Sequence, residues 1–464
     1  MSLAYELIKS WKCKEGNVTS TQTILDWVDK RNKTLTVDIE KRAFPKEEDS
    51  FWFFDPKDGF IRNRKNTFFQ LAGFRQMENG QVVCEQPVII QDEIGYLGII
   101  CKVIDGTLNF LMQAKVEPGN INVIQISPTI QATKSNFTQS HGGKAPAYLD
   151  FFAHARDYEI VVDQIQSEQS SRFLRKRNRN ILINVGDSEV EVLDSHKWMT
   201  LGQIKELMKI DNLVNMDSRT VLSCIPYSIM TLEDGEYEKI EELFDDKALF
   251  RSMFESAENV LPKIFNTINN YKMYSDLKHE LIPLSELSNW EINENEIICK
   301  SPYDFKIVYC QIEIEGREVR CWEQPLVEAI GMAVFGLFTT VKDGCRYFLV
   351  KAKPEVGCFD GIELGPVVQM EPSNPGNHLD SVETLFMEKL GKGEGVLKDV
   401  ILSEEGGRFY HEQNRNAIIE IGQDELSDLP EGYFWVRFST LNKMVQFNNF
   451  LNIQLRNLTS LLDI

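Results

Sequence analysis

The sequence lacks the features that define several large protein classes. Its nine cysteines are scattered without a Cys-x-x-Cys pair, so neither a disulfide framework nor a zinc module is expected. No run of about eighteen apolar residues occurs, and the first eleven residues contain no apolar segment of the kind that precedes a signal-peptide cleavage site. We therefore expect reduced cysteines, no membrane span and a cytoplasmic protein.

Two common ligand-binding and catalytic motifs are also missing. The absence of Gly-x-Gly-x-x-Gly argues against a Rossmann cofactor site, and the absence of Gly-x-Ser-x-Gly gives no support to a serine nucleophile. The formal net charge is -20, which disfavours nucleic acid and anionic membranes as partners. One pyrophosphate needs only a local basic pocket, so a nucleotide ligand remains compatible with this charge.

The chain contains an internal duplication. Glu85-Gln86-Pro87 recurs 238 positions later as Glu323-Gln324-Pro325, and Asp105-Gly106 recurs at the same spacing as Asp343-Gly344. The match needs no gap from residue 85 to residue 136, and Asn178-Arg179-Asn180 reappears as Asn414-Arg415-Asn416 after a small length difference. The sequence therefore predicts a first copy at residues 1–230, an acidic connector with a helix at 231–275, and a second copy at 276–464.

Each copy shows the pattern of a mixed α+β domain with a curved sheet and few helices. Strands are predicted at 67–76, 82–90, 95–104 and 108–116, with turns at Asn79-Gly80 and Asp105-Gly106. Further along we predict a strand at 123–130, a helix at 147–162, a strand at 180–185 and a helix at 201–208. In the predicted strand 123–130, one face carries side chains that hydrogen-bond, and this row continues to residue 133: Gln125, Ser127, Thr129, Gln131 and Thr133.

Several long and unusual strings resemble one known family, the nucleotide-diphosphate-hexose 2,3-dehydratases. They are Gln113-Ala114-Lys115-Val116-Glu117-Pro118-Gly119-Asn120, Gln125-Ile126-Ser127-Pro128-Thr129-Ile130-Gln131-Ala132-Thr133-Lys134-Ser135-Asn136, Arg175-Lys176-Arg177-Asn178-Arg179-Asn180, Asn212-Leu213-Val214-Asn215-Met216 and, in the second copy, Ser403-Glu404-Glu405-Gly406-Gly407-Arg408-Phe409-Tyr410. The resemblance implies a tandem pair of Nudix-like domains without Nudix hydrolase activity, a homodimer, and a substrate of the dTDP-4-keto-6-deoxyglucose type.

The second copy departs from this pattern. Glu355-Val356-Gly357 replaces Glu117-Pro118-Gly119, and Met370-Glu371-Pro372 replaces Ala132-Thr133-Lys134. Hydroxyl groups and one cation are thereby lost from the polar row. We infer that the first copy retains the chemistry and that the second copy is structural or holds a vestigial nucleotide pocket.

Dehydration of a 4-keto sugar sets clear chemical demands. The ketone makes the C3 proton acidic, so the reaction needs a base near C3, a donor to the enolate oxygen and an acid for the departing C2 hydroxyl. No redox cofactor or metal is required, and we expect none. We nominate Glu117 as the base, Lys115 as the cation that polarises the ketone, and His141, in a glycine-flanked loop, as a further titratable group.

Other polar residues are candidates for substrate binding. They are Gln113, Asn120, Gln125, Ser127, Thr129, Gln131, Thr133, Ser135 and Asn136 for the sugar, Arg175 and Arg177 for the pyrophosphate, and Trp52 for the base. Structural readings compete with these roles. Lys115 and Glu117 recur in the second copy, so the fold alone could require them; Trp52 recurs as Trp290, which suits core packing; and the arginines suit an interface.

Two competing functions follow from the same residues. A Nudix-type hydrolase is disfavoured because no Gly-x5-Glu-x7-Arg-Glu-x2-Glu-Glu run is present. A non-catalytic nucleotide-sugar-binding protein is compatible with duplication, but the intact polar row of the first copy argues against it. Since a 3,4-diketone is unstable, we expect a separate NADPH-dependent 3-ketoreductase to act on the product.

Overall fold

The computed structural model describes residues 1–46, 50–137, 145–255, 259–315, 319–372, 379–426 and 428–464, without the side chains of residues 135 and 136. The α-helices of this part are α1 (Leu3–Lys12), α2 (Thr21–Thr34), α3 (Lys134–Phe137), α4 (Leu149–Ala153), α5 (Leu201–Leu207), α6 (Met216–Ser223), α7 (Glu236–Leu243), α8 (Lys247–Phe254), α9 (Leu261–Tyr274), α10 (Ser381–Lys392), α11 (Phe438–Met444) and α12 (Ile453–Ser460). Short 3-10 helices span Ala155–Asp157, Tyr227–Ile229 and Leu284–Glu286.

The strands of the first copy are β1 (Val37–Arg42), β2 (Trp52–Phe54), β3 (Ile61–Asn63), β4 (Gln70–Glu78), β5 (Gln81–Ile90), β6 (Gly95–Ile104), β7 (Thr107–Val116), β8 (Ile124–Ser127), β9 (Ile130–Ala132), β10 (Glu159–Ser167), β11 (Phe173–Leu174), β12 (Arg177–Asn184) and β13 (His196–Thr200). The strands of the second copy are β14 (Lys278–Ile282), β15 (Trp290–Ile292), β16 (Glu296–Cys299), β17 (Phe305–Ile314), β18 (Cys321–Ala329), β19 (Val334–Lys342), β20 (Cys345–Pro354), β21 (Ile362–Pro366), β22 (Val368–Met370), β23 (Val396–Ser403), β24 (Phe409–Tyr410), β25 (Gln413–Glu420) and β26 (Tyr433–Arg437).

In the described residues these strands form four mixed sheets, two in each copy, with the same strand order in both copies. In the first copy the orders are β11-β5-β4-β3-β2 and β10-β12-β6-β7-β13, with β8 also paired with β7. In the second copy they are β24-β18-β17-β16-β15 and β23-β25-β19-β20-β26, with β21 also paired with β20. The predicted α+β architecture with two similar copies is confirmed.

Glycine turns set the register of the central hairpins. Asp105 and Gly106 both have positive φ, 47° and 75°, which is the geometry of a type I′ turn and matches the twist of the flanking strands. Asn79-Gly80 and Asp343-Gly344 take the same conformation. The hairpins predicted from these dipeptides are therefore confirmed.

Two local predictions are wrong. The predicted helix at 147–162 is only α4 and one 3-10 turn, since residues 159–167 pair antiparallel with β12 as β10. The β-branched run Ile160, Val161 and Val162 favours a strand once a partner strand is available. The predicted strand 123–130 is interrupted at Pro128-Thr129, so β8 pairs with β7 whereas β9 pairs with β6.

One strand of each copy pairs with a sheet of the other copy. β1 pairs with β17 of the second copy, and β14 pairs with β4 of the first copy. One hydrophobic cluster extends through both copies, from Leu7 to Phe110 and on to Phe348 and Leu455. The two copies are therefore joined by backbone pairing and by a common core.

The ends of the two copies also meet at a pair of buried arginines. Arg219 on α6 donates to Ser403 O at 2.8 Å, and Arg456 on α12 donates to Thr220 Oγ1 at 2.9 Å. Both side chains are almost completely buried. Since each arginine bonds to the opposite copy, α6 is held at the boundary between the copies, which is where the candidate site lies.

Candidate functional site

A cavity of about 570 Å³ lies between the two copies, and we call it the central cavity. Its polar lining from the first copy comprises Asn63, Gln91, Lys115, Glu117, Gln131, Thr133, Glu168, Lys176, Asn178 and Asp217. The second copy contributes Trp322, Glu323, Gln324, Glu405, Gly407 and Arg408. A volume of this size suits a small-molecule ligand.

Lys115 and Glu117 form the best-defined part of the lining. Lys115 Nζ lies 3.3 Å from Glu117 Oε1 and donates to Gln131 O at 3.1 Å. The Gln131 side chain donates to the same Glu117 oxygen at 3.1 Å. An ammonium and an amide donor on one carboxylate favour its ionised form, which is the form that a general base requires. The two nominated residues therefore lie side by side on the cavity wall.

The second copy fixes the position of Glu117. Gly119 N donates to Gly406 O at 2.7 Å, and His411 N donates to Gly119 O at 2.9 Å. A Cβ atom on Gly119 would lie 1.5 Å from Phe409 O, so only glycine allows this approach. The turn after Glu117 is thus clamped between its own strand and residues 405–411.

Besides Glu323, three more carboxyl groups line the central cavity, and sequence reasoning did not single them out as site residues. They are Glu168 at the end of β10, Asp217 in the first turn of α6, and Glu405 of the second copy. Burial and the charge of Glu117 raise the pKa of Glu405 to about 7. Burial, followed by the charges of Glu168, Glu405 and Glu117, raises the pKa of Asp217 well above its usual range, although Lys115 opposes this.

Two cations face these carboxyl groups. Burial lowers the pKa of Lys176 to about 8, against the attraction of Glu168. The Arg408 guanidinium lies 4.4 Å from the ring centroids of Phe68 and Phe69 and donates to Gln91 Oε1. Proton donors and acceptors with pKa values near neutrality thus converge on one space, which is the typical electrostatic signature of an acid–base site.

The polar row divides between the cavity and the protein interior. Gln131 and Thr133 line the central cavity. Gln125 donates to Ser403 Oγ at 2.8 Å, Ser127 Oγ accepts from Asn215 at 2.9 Å, and Thr129 Oγ1 accepts from Ile100 N at 2.9 Å. These three side chains are buried within the described structure and bind other protein groups, as does Asn120, whose amide donates to Val123 O at 2.9 Å.

The remaining candidates lie in different places. Gln113 borders a smaller cavity of about 170 Å³ that shares Lys115 and Gln131 with the lining of the central cavity, whereas Trp52 lines the central cavity and donates to Glu323 O at 2.6 Å. Arg175 contacts His279 at 2.9 Å, and the Arg177 guanidinium lies 3.7 Å from the centroid of the Phe359 ring. Both arginines therefore contact the second copy. His141 and the side chains of Ser135 and Asn136 lie outside the described residues.

The second copy repeats part of this arrangement. Lys353 donates to Gln369 O at 3.3 Å, Gln369 donates to Glu355 Oε1 at 2.7 Å, and Asn452 donates to Gln369 Oε1 at 3.0 Å. Three other positions of the site differ between the copies. Gln454 stands at the position of Asp217, Gln169 at that of Glu405, and Glu412 at that of Lys176. This difference between the copies was the sequence signal for Asp217 and Glu405, whereas Glu168 recurs as Glu404 and carried no such signal.

Comparison with known proteins identifies the family of the chain. The family model described as NDP-hexose 2,3-dehydratase matches residues 21–225 and 262–462. The chain belongs to the NDP-hexose 2,3-dehydratase family. The resemblance inferred from the sequence is thereby confirmed, and the family model matches the chain twice, once in each half.

Three relatives carry the same name, dTDP-4-dehydro-6-deoxy-alpha-D-glucopyranose 2,3-dehydratase. The one from Saccharopolyspora spinosa is 37% identical over 91% of this chain and 87% of its own length. The one from Streptomyces violaceoruber is 36% identical over 88% and 89%, and the one from Amycolatopsis orientalis is 33% identical over 97% and 91%.

In the described residues, no helix combines the length and the apolar character needed to cross a membrane. All nine cysteines are free, which agrees with the expectation of reduced thiols.

Proposed function

We propose that this chain removes water across C2–C3 of dTDP-4-keto-6-deoxyglucose in the central cavity, giving a 3,4-diketo-2,6-dideoxy sugar. The observation that carries the proposal is the contact of the Lys115 ammonium with the Glu117 carboxylate inside a cavity whose lining also includes the carboxyl groups of Glu168, Asp217 and Glu405. The names of the three relatives supply the substrate. A cavity without titratable groups could bind the substrate, but it could not transfer the protons that dehydration requires.

The first step is removal of the C3 proton by Glu117. The electron pair of the C3–H bond forms the C3–C4 double bond, and the negative charge moves to the C4 oxygen, where the Lys115 ammonium stabilises it. The charge then returns to re-form the C4 carbonyl, the C2–C3 double bond forms, and the C2 hydroxyl leaves with one proton as water. The enol at C3 loses its hydroxyl proton, C2 gains one proton, and the diketone results.

Substrate placement follows from the lining. Gln131 and Thr133 line the cavity together with the Lys115–Glu117 pair and suit the sugar, while the aromatic rings of Trp322 and the buried Trp52, which also line it, suit the base. Arg175 and Arg177 do not line the central cavity. We propose that they bind a pyrophosphate that extends beyond the cavity. Lys176 and Arg408 carry positive charge at the cavity itself.

We also propose four more specific properties that the sequence analysis predicted: a Nudix-like fold for each copy, copy boundaries at 1–230 and 276–464, a homodimer, and a cytoplasmic location. The NADPH-dependent 3-ketoreductase is proposed from the chemistry of the product, since a vicinal diketone that enolises readily requires prompt reduction.

The test is incubation with dTDP-4-keto-6-deoxyglucose in deuterium oxide, with an NADPH-dependent 3-ketoreductase present. The expected product is a 2-deoxy sugar nucleotide that carries one solvent deuterium at C2. Trapping the diketone with 1,2-diaminobenzene as a quinoxaline gives a second readout without the reductase. Binding of the substrate without either product would favour a non-catalytic nucleotide-sugar-binding protein.

A further inference from the structure

Asp217 has no assigned task, yet it is the most deeply buried carboxyl group on the cavity wall. It is 1% exposed, lines the central cavity, and its Oδ1 atom has no hydrogen-bond partner within the described structure. Buried polar atoms are nearly always bonded, so an unpartnered oxygen that faces a ligand cavity calls for a ligand partner.

The backbone around Asp217 is firmly fixed. Asn215 caps α6 by accepting from Ser218 N, and its amide donates to Ser127 Oγ and to Gln131 Oε1. Gln131 in turn donates to Glu117. These hydrogen bonds connect the base, through Gln131, to Asn215, which caps the helix that carries Asp217.

The two carboxyl groups differ in their surroundings. Among the described residues, Glu117 forms an ion pair with Lys115 and accepts a hydrogen bond from Gln131, and both contacts favour a carboxylate. Asp217 is surrounded by the charges of Glu168, Glu405 and Glu117, and its pKa is raised. The N-terminal end of α6 favours an anion, but burial and three neighbouring carboxylates outweigh one helix terminus. One group is thus suited to accept a proton and the other to donate one.

The second copy gives an internal comparison. The Lys–Glu–Gln–Asn arrangement is present there as Lys353, Glu355, Gln369 and Asn452. The position of Asp217 is taken by Gln454, which cannot donate a proton from a carboxyl group. The copies therefore share the base side and differ at the acid.

We propose that Asp217 is the general acid that protonates the departing C2 hydroxyl. Its carboxyl O–H bond breaks as a new O–H bond forms on the C2 oxygen, the C2–O bond breaks with its electron pair going to that oxygen, and water and the Asp217 carboxylate result. This inference rests on the proposed function, and it names the residue responsible for loss of water.

The test compares two leaving groups in the full-length Asp217→Asn variant. Hydroxide needs a proton to leave, whereas fluoride in the dTDP-2-fluoro-2-deoxy analogue of the 4-keto sugar leaves as a stable anion. We expect dehydration to fall at least about 100-fold and fluoride release, measured with a fluoride electrode, to stay within about 5-fold of the native rate. Exchange of the C3 proton with deuterium oxide should persist, since Glu117 is intact.

Equal loss of both eliminations, or an unchanged dehydration rate, would overturn the inference. If the asparagine variant does not fold, the same ratio is measured in Asp217→Gln, which carries the residue that α12 accommodates at position 454. Gln454→Asn is the matched control and should leave both rates unchanged. If the native chain eliminates neither leaving group, the proposed function itself fails, and the two failures are thereby distinguished.

Discussion

The side chain of Gln131 donates to Glu117 Oε1 at 3.1 Å, and its carbonyl oxygen accepts from Asn215 at 3.2 Å. One amide thus contacts both the proposed base and the cap of the helix that carries Asp217. Gln131→Leu removes both bonds at nearly constant volume. A hydrogen bond to a charged group contributes about 1.5–3 kcal/mol, so we expect kcat to fall roughly 10- to 100-fold with KM within about threefold.

The matched control for this change is Gln369→Leu, which breaks the same two bonds in the second copy. Gln369→Leu should lower stability without lowering kcat more than about twofold. The reason is that Lys353 and Glu355 lie at the second-copy site, where Gln454 replaces the proposed acid Asp217. Coupled assay with the ketoreductase gives both constants. Equal loss of kcat in the two variants would mean that both sites turn over.

Glu117→Gln tests the base directly. The amide cannot accept the C3 proton, and loss of a general base lowers rates by about 10²- to 10⁴-fold. We expect Glu117→Gln to lose both dehydration and C3 deuterium exchange, in contrast to the Asp217 variant. Glu355→Gln should retain activity within about threefold. If only Glu355→Gln abolishes turnover, the second copy is the catalytic one.

Local signals made much of the fold predictable. The turns at Asp105-Gly106 and Asn79-Gly80 and the alternating strands around them depend on residues that are close in sequence, and they are confirmed. The helix predicted at 147–162 failed because Ile160 and Val161 lie in a strand whose partner, β12, comes later in the chain. Local periodicity does not reveal such a partner.

The candidate site was predictable only on its first-copy side. Lys115, Glu117, Gln131 and Thr133 follow one another along adjacent strands, so the sequence places them together. Glu405 reaches the same cavity only through contacts between residues 117–119 and 405–411, which no sequence pattern in either copy specifies. Comparing the two copies position by position would have singled out Asp217, since Gln454 replaces it.

Glu363 makes stability depend on pH. It is 1% exposed, accepts from Ser167 Oγ at 2.7 Å, and burial raises its pKa to about 7. Because the folded state holds this proton more tightly than the unfolded state, the contribution of Glu363 to the free energy of unfolding falls as pH rises from about 4.5 to about 7. Above that range the loss amounts to about 3 kcal/mol.

Glu363→Gln removes this titration while keeping the shape of the side chain. Urea unfolding at pH 5.5 and pH 8.5 should show the variant gaining stability relative to the native chain by about 2–3 kcal/mol at the higher pH. Asp399→Asn is the control, because its partner Arg415 lowers the pKa of that carboxyl group below its usual range, so Asp399 is ionised in both states at both pH values. Its effect on stability should therefore be the same at pH 5.5 and pH 8.5, whereas the effect of Glu363→Gln should change. A difference that does not change with pH would contradict the assignment.

Gly119 and Gly357 each make a close backbone contact with the opposite copy. A Cβ atom would lie 1.5 Å from Phe409 O at Gly119 and 1.7 Å from Phe173 O at Gly357. Backbone atoms cannot move aside as a flexible side chain does, so each alanine variant must shift a loop between the copies. We expect both Gly119→Ala and Gly357→Ala to lower the free energy of unfolding by about 3 kcal/mol.

The two variants should differ in activity, which separates the clamp on Glu117 from general stability. Gly119→Ala displaces the turn directly after Glu117, and a misplacement of about 1 Å in a reacting group can cost about 100-fold in rate. Gly357→Ala displaces the equivalent turn after Glu355 and should keep kcat within about threefold under conditions where it is folded. Gly106→Ala, at an exposed turn with no atom within 4 Å, controls for loss of glycine itself, since it strains only its own positive φ. Equal kcat values in the first two variants would show that the second copy does not position Glu117.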